Sequence, residues 1–440
     1  IEDLCTGIDV WSSNFTMCNT QVIDSGGVRA LYMMLVSLCR EGCRVSLHSN
    51  QLVRDNWYSL FCYIYAPNTM LAMINNTFTG AAGIMIYGSS AEILAATNII
   101  AQDNVINGRP LVILANVSNV EITGELGGIL ILSSANVRII DAVVPTYICY
   151  PGCVFIDHSS NVTVENCVLN ASVGCWESNV TFTNNQVTGH LYLRNAGFST
   201  ITNNTFMDHD AIGIIIGGDR LEHFKHDIRD NTVNGRPLYY IFGGQNVVVT
   251  GDVGSVLLVN CTHMTISNIY DAGVLIAFSN DAVVEGGRLG RFYCTRSHKV
   301  LVRDVLFTRG AVFGYSYNVT VGCCEILSCH IGVLVGSSQI NIVGSIFKNN
   351  LLALRVHNAS VTLKLCVVMN NTQGIYVSDS WADLHWSNIT GNEQYGLLGY
   401  ASTINAAYNW WGSPSGPELL NWTAGAYSYG DPESPEEIVI

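Results

Sequence analysis

Charge is scarce in this chain. Asp, Glu, Lys and Arg make up 12% of 440 residues, and 34 acidic residues outnumber 20 basic ones for a net charge of −14. A surface so poor in cations does not neutralise a phosphate backbone, which excludes nucleic acid as a partner. Also missing is any apolar run approaching the roughly 18 residues that a membrane span needs, although the mean hydropathy is +0.29. The apolar surplus must then be buried in a long core or against other subunits. Helical periodicity is absent too, with no stretch of 15 residues placing apolar residues at i, i+3, i+4 and i+7 among helix-forming filler. The nearest candidate is "VRALYMMLVSLCREG" at 28–42, which reads either as a short helix capping the amino-terminal end or as one more β segment. No phosphate-binding glycine loop and no nucleophilic triad phrase occurs.

What the chain does contain is repetition. "DNVINGRPLVI" at 103–113 returns as "DNTVNGRPLYY" at 230–240, an offset of 127 that continues without a gap, so that 14 of 42 positions are identical between 103–144 and 230–271. Upstream, "NNTF" at 75–78 returns at 203–206. The expected organisation is therefore amino-terminal rungs or a cap over 1–74, a first repeat over 75–202, a second over 203–330, further rungs and an aromatic cap over 331–417, and a tail over 418–440.

Each repeat has a finer grain. "GILILSSANVRII", "CVFIDHSSNVTVENC", "GVLVGSSQINIVGS" and "GIYVSDSWADLHWSN" share one plan: a short apolar β run, a Ser, Asn or Asp pair, then a second β-branched run. Recurrence every 20 to 25 residues or so matches one coil of a parallel β-solenoid, three strands and three turns, which buries its inward row only when stacked. In the repeated phrase, Asn107-Gly108 and Asn234-Gly235 supply a turn with positive φ. Pro110 and Pro237 stiffen its exit, and Arg109 and Arg236 are placed to stack or pair across it.

Fifteen cysteines without a CxxC suggest disulfides in an oxidising setting. Cys39/Cys43, Cys149/Cys153 and Cys167/Cys175 are candidate staples, and Cys323, Cys324 and Cys329 form a cluster; filling the core as small apolar groups is the competing use. Thirteen Asn-x-Ser/Thr sequons stand at Asn14, Asn75, Asn116, Asn161, Asn170, Asn179, Asn203, Asn260, Asn318, Asn358, Asn370, Asn388 and Asn421. They are expected to carry N-glycans on a secreted chain, although Asn before β-formers is also how solenoid turns are written. The sequence begins at Ile1, without Met or a signal peptide, as it would after removal of a targeting segment or in a fragment.

The stretch "DNTVNGRPLYY…GDVGSVLLVNCTHMTISNIYDAGVLIAFSNDAVVEG" resembles the right-handed parallel β-helix repeat family, in the pectin-lyase-like branch that includes the nitrous-oxide-reductase maturation protein and archaeal surface proteins. "AAYNWWGSPSGP" at 406–417 is similar to the phrase that closes many such helices. The resemblance covers roughly 75–417 and implies an all-β fold, a right-handed single-stranded parallel β-helix with an internal duplication of about 127 residues. It says little of function, because the scaffold serves lyases, hydrolases, adhesins and structural proteins alike.

Among the alternatives, catalysis has one dense polar stretch, "DHDAIGIIIGGDRLEHFKHDIRDN" at 208–231. A rung of about 22 residues would stack Asp208 or Asp210 near Asp230, yet none of the hydrolase phrases that the resemblance implies is present. A Cu²⁺ or Zn²⁺ site would draw on His223 and His226, three apart, with His209 and Asp219. No resident cofactor is expected. The acidic spacer "DPESPEE" ending in Ile438, Val439 and Ile440 reads as a strand that adds to a neighbouring subunit. The combined expectation is a secreted or cell-surface structural protein, a homopolymer assembling head to tail into a filament, sheath or surface layer. Its alternatives are a polysaccharide lyase or hydrolase and an adhesin that holds polysaccharide.

Overall fold

The computed structural model describes residues 6–11, 14–24, 32–54, 58–80, 83–145, 152–417 and 437–439. It falls into two compact units, one of Ile1–Asp208 with Gly213–Gly235 and one of His209–Ile212 with Arg236–Ile440. Both are stacks of short parallel strands. In the first unit Tyr32–Leu38, Tyr58–Ile64 and Gly83–Gly88 pair in parallel on one face, while Arg44–His48, Met70–Ile74 and Asn98–Gln102 pair on a second. Gln51–Arg54, Thr77–Gly80 and Val105–Ile106 make the third. The 28–42 segment thus supplies a strand, Tyr32–Leu38, and not a helix. Its β-branched and apolar residues find parallel partners on both sides, which overrides the local helical pattern. No helix among the described residues is long and apolar enough to cross a membrane.

Many of the described corners use the same two-residue device. A residue in the left-handed region comes first, and a small buried polar residue follows it. Asp103 (φ +53°), Asn203 (+57°) and Asp230 (+59°) precede Asn104, Asn204 and Asn231. Asn and Asp tolerate this conformation best among residues with a Cβ, which is why "NN" and "DN" recur in the sequence. The buried Asn then bonds along the stack: Asn185 N–H donates to Asn204 Oδ1 at 2.9 Å, and Asn204 N–H to Asn231 Oδ1 at 3.0 Å. Asn50, Asn76 and Asn104 form an equivalent column in the same unit, and Asn350, Asn371 and Asn392 form one in the second. Serine builds another column there, with Ser279 N–H donating to Ser297 Oγ at 3.2 Å and Ser316 N–H to Ser338 Oγ at 3.0 Å. Each ladder thus satisfies buried backbone donors that the strand pairing leaves over. Between the ladders the inward rows are continuous and apolar, as with Val300, Val302, Val319, Val321, Ile340 and Ile342.

The repeated phrase forms a tight hairpin. Asn107 (φ +48°) and Gly108 (+76°) reverse the chain so that Val105–Ile106 runs antiparallel to Arg109–Ala115. Asn234 (+50°) and Gly235 (+79°) repeat the backbone, and two positive φ values in succession are what an Asn-Gly type I′ turn requires. The side chains repeat too. The Asn107 amide both accepts from Gly80 N–H (2.8 Å) and donates to Gly80 O (2.9 Å), and Asn234 does the same with Asp208 at 3.0 and 2.8 Å. Arg109 pairs with Glu125 at 2.6 Å, and Arg236 approaches Asp252 at 3.6 Å, the residue 127 positions on. In the first unit Arg109–Ala115 opens a new parallel series through Gly128–Leu132, Val154–Asp157, Val173–Trp176 and Leu191–Arg194.

Among the described residues no cysteine pair staples the fold. Cys39, Cys43, Cys167, Cys175, Cys323, Cys324 and Cys329 are all free thiols, and Cys149 lies outside the described residues. Cys167, Cys324, Cys329 and Cys366 hold ladder positions, each Sγ approaching the carbonyl two residues before it at 3.2 to 3.4 Å. In the column Cys324, Ser345, Cys366, Ser387 the two sulfurs are separated by a serine rung. That is beyond the reach of a disulfide. Burial raises the thiols of Cys62, Cys153, Cys175, Cys294 and Cys324 to about 12, so they stay protonated.

The strand Glu437–Val439 pairs antiparallel with Tyr395–Tyr400 of its own chain. Val439 stands opposite Leu398, Ile438 opposite Gly399 and Glu437 opposite Tyr400, and Ile440 lies outside the described residues.

Candidate functional site

The three candidate carboxylates of the polar stretch, Asp208, Asp210 and Asp230, go three ways. Asp208 is buried, and its Oδ2 accepts from Gly213 N–H at 2.8 Å. Asp210 faces Arg291 at 3.4 Å in the second unit. Asp230 is a corner residue, like its twin Asp103. The rung here is 27 residues long, because the 3₁₀ turn Leu221–Phe224 is inserted, so Asp208 stacks on Asn234 and not on Asp230.

The histidines separate likewise. His209 lies in the second unit against Arg309, and His223 sits 3.2 Å from Asp219. His226 is a ladder residue: Nδ1 accepts from Ser199 N–H at 3.3 Å, and Nε2 donates to His223 O at 2.9 Å. Burial pulls this imidazole down to about 4 and keeps it neutral, and its one lone pair, on Nδ1, is turned to the Ser199 N–H in the ladder. Among the described residues no three His, Cys, Asp or Glu side chains gather as a metal would require.

A cluster of ionisable residues lies in the first unit. Asp157, fully buried, sits 2.9 Å from His158 Nδ1, and Glu177 from the next rung reaches His158 Nε2 at 3.0 Å. Tyr87 packs edge-on against Trp176 at 5.4 Å, and the Arg194 guanidinium lies 4.7 Å over that indole. Burial raises the Asp157 carboxyl, and His158 only partly offsets this. Burial pulls the His158 imidazole down, but the carboxylates on both ring nitrogens more than reverse it, so the net shift is upward. With side-chain exposures of 0% for Asp157 and 4% for His158, the pair clamps the wall of the solenoid and does not meet a ligand. Sequence reading missed it because Tyr87, Asp157 and Glu177 come from separate rungs.

The exposed counterpart is a corner of the second unit. Its left-handed positions, rung by rung, are Phe278, Arg296, Tyr315, Ser337, Asn358, Asp379 and Ala401. The Arg296 guanidinium is held between Phe278 (5.7 Å) and Tyr315 (4.6 Å), a cation–π stack on the surface. Two residues past each corner the chain presents Tyr317, Gln339, Ser360, Trp381 and Thr403, aligned by bonds from each N–H to the rung before. Tyr317 and Trp381, 55% and 44% exposed, therefore stand three rungs apart with an amide and a hydroxyl between them. That is about 14 Å at the inter-strand spacing. An open groove of about 680 Å³ runs along this row. The signal in the sequence was the aromatic placed beside the corner serine in "YSYN" and "SDSWAD".

Residues 246–409, which contain this corner, match the family model described as "Periplasmic copper-binding protein (NosD)". The chain is a right-handed parallel β-helix repeat protein. No curated protein matches it. Solved β-helix structures similar to it include the periplasmic alginate epimerase AlgG, at 11% identity over 66% of this chain and 78% of that one with a TM-score of 0.25. Another is PfbA, a surface adhesin of Streptococcus pneumoniae, at 10% identity over 83% of both chains and a TM-score of 0.19. A third is the A-module of the Azotobacter vinelandii mannuronan C-5 epimerase AlgE4, at 11% identity over 84% and 90% with a TM-score of 0.18. Superpositions this poor carry no argument about what the β-helix here does.

Proposed function

We propose that this protein is an exported β-helix that holds an extended glycan along the corner groove of its second unit. The observation that carries the reading is the rung-spaced row Tyr317, Gln339, Ser360, Trp381, in which two exposed rings bracket an amide and a hydroxyl. A solvent-facing Trp and Tyr on a rigid wall offer apolar faces beside polar groups, as a sugar-binding surface does. The sequon asparagines Asn75, Asn116, Asn161, Asn203, Asn260, Asn318 and Asn370 are exposed corner residues open to N-glycans. Affinity electrophoresis through gels cast with soluble polysaccharides tests the reading. Retardation that disappears in Trp381→Ala supports it, and unretarded migration in every gel refutes it.

The copper of the family name does not fit this chain. Of the five histidines within 246–409, His263 lies 3.6 Å from Asp281, His357 3.5 Å from Asp379 and His385 2.5 Å from Asp383, one carboxylate each, while His298 meets the Asn280 amide at 3.1 Å, and among the described residues no three His, Cys, Asp or Glu side chains gather.

A second reading, the subunit of an extracellular filament or surface layer, is favoured by the strand Glu437–Val439. It is joined to the stack through 418–436 and lies on an edge that a second copy would present identically. Deletion of 418–440 would abolish polymers seen by electron microscopy if strands are exchanged. It would leave them unchanged if this reading is wrong.

A further inference from the structure

The lining of the groove also discriminates between classes of glycan. Its polar members are Ser337, Gln339, Asn358, Ser360 and Thr403, all able to donate and accept. Asp379 is its only charged member, 3.5 Å from His357, and no Lys or Arg lines it. Basic residues on nearby rungs are engaged elsewhere: Arg296 is held between Phe278 and Tyr315, Lys299 pairs with Asp281 at 3.1 Å, Lys364 lies 5.8 Å from the Trp386 ring and Arg355 5.9 Å from that of Tyr376. A chain carrying a carboxylate on every sugar would bring its charges beside Asp379, on a protein of net charge −14, with no cation in the lining to receive them.

Resting on the glycan-holding reading above, we infer that the groove selects a neutral polysaccharide and rejects uronate polymers. Tyr317 and Trp381 stack against sugar faces at the two ends of the row. Gln339, Asn358 and Ser360 bond to hydroxyls between them, and Asp379 repels acidic chains.

The test is calorimetric titration of the full chain with three sets of oligosaccharides of matched length: neutral β-glucan or mannan, oligogalacturonate and oligoguluronate, and chitosan. The expected result is binding of a neutral oligomer, weakened roughly tenfold by Trp381→Ala or by Tyr317→Ala. Circular dichroism confirms that each variant is folded. Asp379→Asn should also let the uronate oligomers bind measurably. Binding of uronates by the unaltered protein overturns the inference and leaves the glycan-holding reading standing. So does binding of chitosan alone that is lost in Asp379→Asn. No binding by any set overturns both.

Discussion

Acid should loosen the first unit through His226. This side chain takes a ladder position where other rungs place serine or asparagine, and the bonds to Ser199 N–H and His223 O fix it as a neutral ring protonated on Nε2. Protonating Nδ1 sets an N–H against the Ser199 N–H. Burial pulls its pKa from 6.5 to about 4, so between those values the unfolded chain binds a proton that the folded chain refuses. The stabilisation is therefore complete above 6.5 and is lost as pH falls towards 4, a change of about 3 kcal/mol. Repeat arrays open locally, so hydrogen exchange of peptides spanning 186–233, corrected for intrinsic rates, is the suitable assay. Protection there should fall by about two orders of magnitude between pH 7 and pH 4, while peptides of 330–400 change little. His226→Asn keeps an acceptor for Ser199 N–H and removes the titration, so its profile should be flat. An equal fall in His226→Asn, or an imidazole that titrates near 6.5, would refute the reasoning.

Asn204→Ala removes a side chain that accepts from two groups of Asn185 and donates to Phe182 O and Asn231 Oδ1. Leaving those buried partners unfilled should cost about 3 to 5 kcal/mol, whereas the exposed corner change Asn203→Ala should cost about 1 kcal/mol; urea titrations within 1 kcal/mol of each other would contradict the ladder account. His158 behaves oppositely to His226. Its folded pKa is raised, so its contribution is full below 6.5 and is lost as pH rises through the folded value; His158→Gln should be destabilised at pH 6 relative to the unaltered protein, and the two should converge at higher pH in the same exchange assay. Under native conditions a thiol alkylator should modify Cys18 and Cys323, the exposed thiols among the described residues, and spare Cys153, Cys175 and Cys294. Mass spectrometry that finds Cys175 alkylated as fast as Cys323 would show the wall to be open.

The legible part of this fold was periodic. "DN" before "TV" encodes a left-handed corner and a ladder amide at Asp230 and Asn231, and the same grammar recurs at Asn203 and Asn204. Strand runs and the Asn-Gly hairpin were equally readable, because each depends on a few adjacent residues. Tyr32–Leu38 was ambiguous because short apolar runs fit either period until a neighbouring strand pairs with them. The cysteines misled for a physical reason. A thiol is small, weakly polar and willing to fill a ladder position, so Cys324 and Cys366 alternate with serines and need no partner sulfur. His226 looked like a ligand for the same reason that it makes a ladder residue: it has two nitrogens with fixed directions. The meeting of Tyr87, Asp157 and Glu177 depends on rung lengths that vary from 17 to 30 residues between ladder partners, and no single window of sequence holds that information.

The amide ladders also have a direction. At each step the Oδ1 of the later asparagine receives the N–H and Nδ2 of the earlier one, as Asn204 does for Asn185 and Asn231 does for Asn204. A stack interrupted at any rung thus ends in two unfilled donors facing the side on which the next rung will be laid. The acceptor that quenches them lies in the segment a ribosome delivers next. A solenoid that grew from its amino-terminal end would therefore leave, after each coil, donors that the following coil fills.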